Sequence, residues 1–208
     1  MDVRKVLTPL LIGSLISLAG CASLSKDECL HADWRMIGFE DGAKGKSPDY
    51  LGEHREACAE YGVVPNQNLY LKGREDGLVE YCRPYNAFQE GVRGATYQGV
   101  CPAYKQDAFL EAYQYGKKIH EADQKVNDQE SNIKDLESSL SDIKTRLKEK
   151  EASLVDSKTT TSQRVVLLQE IKDLSKEQGE KGNEIQRLRE DLVRLEMRAQ
   201  HLKAHSPY

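Results

Sequence analysis

The chain has 208 residues, of which 38% are hydrophobic and 31% are charged, and its formal net charge is −4. That length is sufficient for one or two domains. The segment 22–116 is acidic and the segment 117–208 is electrically balanced. Neither has the clustered Lys and Arg that nucleic acid or anionic lipid requires, so we expect no nucleic-acid partner.

The N-terminus has the pattern of an export signal. Arg4 and Lys5 precede an apolar run over 6–18, and small residues follow where a signal peptidase would cut. A basic start, a short apolar core and small residues at the cut are typical of a secretory signal, which is too short to span a bilayer permanently. The sequence therefore predicts a signal peptide over residues 1–20.

The residues at the end of this signal carry a more specific pattern. Leu18-Ala19-Gly20-Cys21 resembles the lipobox of bacterial lipoproteins, whose cysteine is acylated, with palmitate among the attached chains, and becomes the first residue of the mature protein. The resemblance implies lipidation at Cys21, an acylated tether over 21–28 and a membrane as a partner. Ala22 and Ser23 are not the aspartate that retains many lipoproteins at the inner membrane, so the resemblance favours the periplasmic face of the outer membrane.

Four further cysteines fall in the segment that would be exported: Cys29, Cys58, Cys82 and Cys101. An even number in an exported domain predicts two disulfides, and four cysteines allow three pairings. We favour Cys29–Cys58 with Cys82–Cys101. Each would close a loop of roughly 20 to 30 residues and contribute about 3–4 kcal/mol on the chain-entropy model. The gaps exceed the Cys-x-x-Cys spacing of zinc sites.

Helix signals follow in order along residues 29–116. Asp33 is placed to cap a helix that begins at Trp34. Ser47 and Pro48 predict a second helix start, because serine is favoured at the N-cap and proline at the first helical position. We expect that second helix to end at Gly62, where a left-handed residue is wanted.

Glycine and aromatic residues recur at fixed spacing through the same segment. Residues 38–42 and 73–77 share the form Gly-x-x-Asp-Gly, and Cys-x-x-Tyr occurs three times. Glycines four residues apart lie on one helical face and allow two helices to approach closely. We expect aromatic rings to fill those glycine positions. The segment 29–116 is therefore predicted to be a small, disulfide-stapled domain of helical repeats, rich in Cys, Tyr and Gly.

Two stretches of this domain resemble a known family. Residues 70–84, Tyr-Leu-Lys-Gly-Arg-Glu-Asp-Gly-Leu-Val-Glu-Tyr-Cys-Arg-Pro, and residues 87–101, Ala-Phe-Gln-Glu-Gly-Val-Arg-Gly-Ala-Thr-Tyr-Gln-Gly-Val-Cys, are similar to the signature of an uncharacterised family of proteobacterial lipoproteins. That family is defined by a domain of unknown function. The resemblance covers about residues 27–116 and implies a location and a fold type, but no activity.

From residue 117 the pattern changes to heptads, which predict a coiled coil over 117–204 and a short tail over 205–208. One heptad register begins at Ile119 and a second contains Ile171. The two registers are out of phase, so the heptad pattern is interrupted between them. The break near 157–166 is polar and lies close to the middle of the segment. We favour an antiparallel hairpin there over one continuous rod, although the break contains neither glycine nor proline. The fold class expected for the whole chain is all-α.

Several residues have the chemistry of a metal, catalytic or glycan-binding site. His54 and Cys58 could share a ligand face, but Cys58 is better used in a disulfide, so we predict no metal site and no cofactor. Asp41, Asp76 and Glu90 would support acid–base chemistry only if folding brought them into one cleft. We therefore predict no catalytic residue. A glycan-stacking surface remains an alternative, built from Trp34, Tyr70, Tyr81 and Tyr97.

These patterns predict a non-enzymatic lipoprotein with a structural or protein-interaction role. Its partner would be an envelope protein or a second copy of the chain, contacted through the coiled coil over 119–202. The alternative prediction is a module that binds peptidoglycan or another carbohydrate through the aromatic face of residues 34–115.

Overall fold

The computed structural model describes residues 23–208, and over that range the fold is all-α, as predicted. The predicted signal peptide and Cys21 lie outside the described residues. None of the described helices combines the length and apolar character needed to cross a bilayer. The helices are α1 (Lys26–Leu30), α2 (Trp34–Ala43), a short 3-10 turn (Pro48–Tyr50), α3 (Leu51–Ala59), α4 (Gln67–Tyr81), α5 (Pro84–Val92), α6 (Ala103–Val155) and α7 (Thr161–Ala204).

The chain divides into two compact units, and the division lies inside α4. The first unit ends at Gly77 and the second runs from Leu78 to Tyr208. Residue 116, where the composition of the sequence changes, lies within α6. Phe109 and Ala112, N-terminal to that point, and Ile119, beyond it, are all buried residues of this one helix. The helix therefore continues through the change in composition.

Local capping signals explain where the helices of the first unit begin. The Asp33 carboxylate accepts hydrogen bonds from the backbone N–H groups of Arg35 and Met36 at 3.0 and 3.1 Å, which caps α2 as predicted. Ser47 precedes the 3-10 turn without a side-chain cap bond. The following helix, α3, ends at Ala59 and is followed by Gly62 at φ +71°. A left-handed glycine of this kind reverses the chain after a helix.

Helices α2 and α4 pack through glycines on both sides of their contact. A Cβ atom built on any of these glycines would overlap the main chain of the opposite helix. Close approach of this kind is available only to residues without a side chain. The contacts are Gly38 against Tyr70, Gly42 against Arg74, Gly73 against Arg35 and Gly77 against Phe39.

The second unit repeats the arrangement between α5 and α6. Gly91 faces the carbonyl oxygen of Tyr113, and Gly116 faces that of Phe88. The predicted close approach of helices at glycine is confirmed in both units. The expectation that aromatic rings occupy the glycine positions is wrong, because backbone atoms of the neighbouring helix fill that space and leave no room for a ring. The rings pack on one another instead, as Tyr97 does on Phe109 at 4.5 Å between centroids.

The two disulfides join the pairs that the sequence favoured. Cys29 is bonded to Cys58 in the first unit, with 5.4 Å between Cα atoms, and Cys82 to Cys101 in the second, with 5.7 Å. All four cysteines are buried. Each bond lies in the apolar core of its own unit, so each unit combines a small core with one covalent cross-link.

Helices α6 and α7 form the predicted antiparallel hairpin, with a turn over 156–160 that overlaps the predicted break. The heptad positions form the buried seam, including Ile133 and Ile143 on α6 and Leu174 and Ile185 on α7. Gln129, a polar seam residue, donates to the Leu188 carbonyl across the hairpin at 3.0 Å. Three ion pairs also cross between the helices: Lys150–Glu170 at 2.7 Å, Glu137–Arg189 at 2.5 Å and Asp123–Lys203 at 2.7 Å.

The hairpin turn is built by caps and contains neither glycine nor proline. Thr160 and Gln163 form a capping box at the start of α7. The Arg164 guanidinium donates to the carbonyl oxygens of Leu154 and Asp156 at the end of α6, and the Asp156 carbonyl also accepts from the Thr159 N–H. A cation at this end also complements the helix dipole.

The C-terminal tail returns to the start of α6. The Tyr115 hydroxyl lies 3.1 Å from the carbonyl oxygens of both Leu202 and His205. The Tyr208 ring stacks on Phe88 at 5.6 Å. The end of the hairpin that is remote from these contacts is therefore the turn over 156–160.

Candidate functional site

A buried polar network connects three helices of the first unit. Asp41 on α2, His54 on α3 and Tyr70 on α4 are 6%, 3% and 0% exposed. His54 Nε2 lies 2.7 Å from Asp41 Oδ2, and the Tyr70 hydroxyl donates to the same oxygen at 2.9 Å. Such a network must be fully hydrogen-bonded, because an unpaired polar group in this environment costs about 1–3 kcal/mol.

The glycine contacts position two members of the network. Gly38 and Gly42 bring α2 against the backbone of α4 at Tyr70 and Arg74. Asp41 lies one residue before Gly42, so its short side chain reaches the hydroxyl of Tyr70. His54 is four residues before Cys58 on α3, and both face inward because residues four apart share a helical face.

The hydrogen bonds of the network indicate which His54 nitrogen carries the proton. A carboxylate only accepts hydrogen bonds, so Nε2 must donate to Asp41. In the neutral ring Nδ1 is then an acceptor. Nδ1 lies 2.9 Å from the hydroxyl oxygen of Ser23, and Ser23 is therefore the donor. Burial, followed by the hydrogen bond to Asp41, raises the pKa of Tyr70 well above its ordinary value, so its hydroxyl remains a donor.

A cavity of about 430 Å³ opens beside this network. Its walls include Ser23, Asp41 and His54, together with Met36, Lys44 and Lys46. Ser23 is the first described residue of the chain and is only partly buried. Ser23 thus forms part of the cavity wall and is hydrogen-bonded to His54 there.

Arg74 is the second buried ionisable residue on α4. It is 6% exposed, and its Nε donates to the Lys46 carbonyl at 2.8 Å. Its Nη2 atom is buried and has no hydrogen-bond partner among residues 23–208. Burial lowers the pKa of Arg74 from its ordinary value, although a guanidinium remains charged at any physiological pH. Arg74 therefore ties α4 to the loop that follows α2.

Ser23, His54 and Asp41 have the composition of a hydrolase triad, but their connections differ from it. In the established triad the serine bonds to Nε2 and the carboxylate to Nδ1. In this protein the two nitrogens are exchanged, and the carboxylate oxygen is also used by Tyr70. The hydrogen bonds connect helices α2, α3 and α4 to the start of the described chain, and their direct physical effect is to position those elements.

The carboxylates considered from the sequence have separate partners. Asp41 belongs to the buried network, whereas Asp76 forms an exposed ion pair with Arg35 at 2.8 Å. Glu90, in the second unit, pairs with Arg93. The matching Gly-x-x-Asp-Gly segments therefore place one aspartate inside and the other on the surface. Within residues 23–208, no group of three or more His, Cys, Asp or Glu side chains is placed so that it could bind a metal ion.

The residues proposed for glycan stacking are core residues. Trp34, Tyr70 and Tyr81 are 8%, 0% and 4% exposed, and Tyr97 is partly buried against Phe109. A sugar ring stacks only on an accessible aromatic face, and Trp34, Tyr70 and Tyr81 present none in this structure. The tyrosines that are accessible in the second unit are Tyr85 and Tyr104, at 62% and 81% exposed.

The tip of the hairpin is a second candidate surface, and the sequence pattern had not singled out its residues. Val155, Val165, Val166 and Leu168 are each more than half exposed. Val166 also lines an open cleft of about 590 Å³ that includes Asp156, Lys158 and Thr159 of the turn. Apolar side chains grouped at the end of an arm are typical of a contact surface for another molecule.

Sequence reasoning missed the Asp41–His54–Tyr70 network, although two local signals indicated it. The first is the spacing of four between His54 and the disulfide cysteine Cys58, which predicts that His54 faces the core. The second is the placement of Asp41 between glycines of a packed helical face. Neither signal identifies Tyr70 as the partner of Asp41, because the two residues meet only when helices α2 and α4 pack together.

Together these features define a class of all-α protein in which a disulfide-bonded helical domain precedes a long antiparallel hairpin. Residues 33–118 match the model of the family described as "Protein of unknown function (DUF2799)". The predicted resemblance to a family defined by a domain of unknown function is therefore confirmed over that segment. No curated protein and no solved structure matches the chain.

Proposed function

We propose that this protein is a non-enzymatic lipoprotein, anchored through Cys21 to the periplasmic face of the outer membrane, that contacts another envelope protein through the tip of its hairpin. The observation that carries the proposal is the exposed apolar tip on an internally braced arm. The lipobox pattern and the two disulfides support an exported, anchored protein.

The construction of the arm supports a contact role. Ion pairs and a seam hydrogen bond hold the two helices in register, and the Arg164 and Thr160 caps hold the turn. At 1.5 Å per residue the part of α6 beyond residue 117 is about 60 Å long. A tip held at that distance presents its apolar side chains without first having to become ordered, which lowers the entropy cost of binding.

Photo-crosslinking in cells tests this contact. A photo-reactive residue replaces Val166 at the tip, and the matched control replaces Glu180, an exposed residue further along α7. We expect a discrete adduct from position 166 and little from position 180. Light scattering on the acyl-free chain distinguishes another envelope protein from a second copy of this chain as the partner. If the chain is a dimer in solution, the adduct is assigned to a second copy. Equal adducts from both positions, or none from either, would contradict the proposal.

A carbohydrate-binding role is the second candidate, and its support now comes from different residues. Tyr85 and Tyr104 are exposed and lie in the first turns of α5 and α6, three residues after the cysteines of the Cys82–Cys101 bond. Rigidly held, accessible tyrosines suit stacking on sugar rings. Co-sedimentation with peptidoglycan sacculi tests this role, and binding that survives replacement of both tyrosines by alanine would exclude them.

A further inference from the structure

We infer that the face of the first unit around Ser23 lies against the lipid bilayer, because the anchor tether is fastened to the domain at His54. This inference rests on the proposed acylation of Cys21. It adds an orientation for the domain, a defined contact surface and a residue that holds the tether. We call this surface the tether face and define it by Ser23, Met36, Lys44 and Lys46, with His54 buried beneath it.

The chain between the acylation position and the folded domain is short. The sequence predicted a tether over residues 21–28, but α1 begins at Lys26 and Cys29 is in a disulfide. Ser23 is itself hydrogen-bonded to His54 at 2.9 Å. Only Ala22 then separates Cys21 from Ser23. Because an extended chain spans about 3.5 Å per residue, Cys21 lies within about 7 Å of Ser23.

This short tether limits the distance between the domain and the bilayer. An acylated cysteine has its lipid chains in the bilayer and its backbone at the level of the headgroups. A domain fastened within about 7 Å of that point has no room for a water layer several molecules thick on the same side. The residues that share the cavity wall with Ser23 must therefore be the ones nearest the headgroups.

The chemistry of the tether face agrees with such a position. Met36 is 56% exposed and lines the same cavity as Ser23. An unbranched apolar side chain such as Met36 can enter the headgroup region. Lys44 is exposed, and its long apolar stem with a charged end suits an interface between apolar and aqueous surroundings. The Lys46 ammonium instead lies over the Tyr50 ring, 4.2 Å from its centroid.

Charge does not provide the attachment. Glu28, Asp33 and Glu40 line the same cavity as the two lysines, and segment 22–116 is acidic overall. Electrostatic binding to anionic lipid needs clustered Lys and Arg, which this face lacks. The contact therefore depends on the covalent anchor and on the fastening of the tether, in which Ser23 hydrogen-bonds to His54 and Leu24 packs against the core. We expect the acyl-free chain to remain unbound to zwitterionic vesicles.

His54 is the residue that positions the tether, through its hydrogen bond with Ser23. Its Nε2–H donates a hydrogen bond to Asp41, so in the neutral ring Nδ1 is the acceptor for the Ser23 hydroxyl. Tyr70 fixes the Asp41 carboxylate from the opposite side. Because all three are buried and belong to three different helices, the acceptor is held in one place relative to the domain.

The test uses the full acylated protein in vesicles of phosphatidylcholine and phosphatidylethanolamine that contain brominated lipid as a quencher. A fluorescent label is placed at Met36, and the matched control label is placed at Glu56, an exposed residue of α3 two positions beyond His54. We expect the Met36 label to be quenched at least about threefold more than the Glu56 label. Equal quenching at the two positions would overturn the inference.

A pair of serine variants tests the fastening itself. Ser23→Ala removes the donor to His54, and we expect the difference in quenching between the two labels to fall by at least about half. Ser25→Ala is the control, because Ser25 caps α1 through Glu28 and does not contact His54. An unchanged difference in Ser23→Ala would overturn the role of Ser23.

The mass of the mature N-terminal peptide separates this inference from the proposed function. An acylated Cys21 together with equal quenching would overturn the tether face and leave the anchor in place. An unmodified Cys21 would overturn both. Binding of the acyl-free chain to the same vesicles would contradict the claim that the contact depends on the anchor.

Discussion

Gly38 on α2 lies directly against the backbone carbonyl of Tyr70 on α4, so closely that no side-chain carbon fits between them. The relation is reciprocal, because Gly73 on α4 meets the carbonyl of Arg35 on α2 in the same way. Each helix thus has glycines at the positions where the backbone of the other helix comes closest. The Tyr70 ring, displaced from this contact, extends to Asp41 and completes the buried network.

Replacement of Gly38 by alanine is therefore expected to disrupt the first unit. The added carbon would overlap main-chain atoms that cannot move independently, and we expect a loss of at least about 2 kcal/mol in the free energy of unfolding. The measurement is chemical denaturation followed by circular dichroism. Gly52→Ala is the control, because a Cβ at Gly52 meets nothing within 4 Å on α3. That variant should gain about 0.5–1 kcal/mol from helix propensity. The same sign for both variants would refute the packing argument.

The glycines of α7 should behave like Gly52. A Cβ at Gly179 or Gly182 meets no atom within 4 Å. We expect Gly182→Ala to raise the free energy of unfolding by about 0.5–1 kcal/mol, because alanine loses less backbone entropy in a helix. Gly116→Ala on α6 is the matched comparison, since Gly116 meets the Phe88 carbonyl and should not tolerate a side chain. Destabilisation by Gly182→Ala would show that α7 packs differently.

Alkaline pH should destabilise the second unit through Tyr81. Burial raises the pKa of Tyr81 to about 12, whereas an unfolded tyrosine titrates near about 10. A raised pKa means that the folded state favours the neutral phenol. The resulting stability is complete below about pH 10 and is lost as the pH rises to about 12.

This prediction is tested by following tyrosinate absorbance and helix content together. Tyr81 should ionise only as helix content falls. Tyr81→Phe keeps the ring and removes the titrating group, so its alkaline transition should move to higher pH. A transition at the same pH in both proteins would show that Tyr81 does not contribute to the loss of stability.

The turn of the hairpin should depend on Thr160. Its hydroxyl accepts from the backbone N–H of Gln163, and loss of such a cap costs about 1 kcal/mol. We expect Thr160→Ala to increase amide hydrogen exchange over residues 161–164 and to leave the exchange near Ile133 unchanged. Ser162→Ala, on the exposed first turn of α7, is the control. Equal exchange in the two variants would contradict the capping role.

The Ser23 hydroxyl is predicted to be a positioning group and not a nucleophile. A fluorophosphonate probe, which labels activated serines, should leave Ser23 unmodified in the folded protein. The expectation follows from the exchanged imidazole nitrogens and from the second donor on Asp41. Labelling that is lost in Ser23→Ala and in His54→Gln would instead assign a nucleophilic role to this serine.

Much of the fold could be predicted because its signals are local. Asp33 was predicted as a cap from its position before Trp34, and the heptad registers located the buried seam from periodicity alone. The even number of cysteines predicts two disulfides, and the favoured one of the three pairings is the one found. The hairpin is favoured because the break between the two registers is polar and lies close to the middle of the segment. Thr160 and Gln163 form a sequence-readable capping box that would have located the turn without glycine or proline.

The remaining features depend on contacts between distant residues. Periodicity cannot reveal that the backbone at Tyr70 fills the space beside Gly38, or that the ring then turns toward Asp41. The sequence predicts that aromatic rings pack at the glycine positions and leaves an accessible stacking face as the alternative. The cores of these small units contain few aliphatic residues, so Tyr70, Tyr81 and Trp34 are used as core residues instead.

The central claim is that the domain and its arm are fixed to a membrane through Cys21. The most direct measurement is the mass of the mature N-terminal peptide, made together with membrane fractionation of the wild-type chain and of Cys21→Ser. The account predicts a wild-type peptide that begins at Cys21 and carries acyl chains, in a protein found with the membranes, whereas Cys21→Ser is unacylated and leaves the membrane fraction. An unmodified Cys21, or fractionation that is unchanged by the substitution, would contradict it.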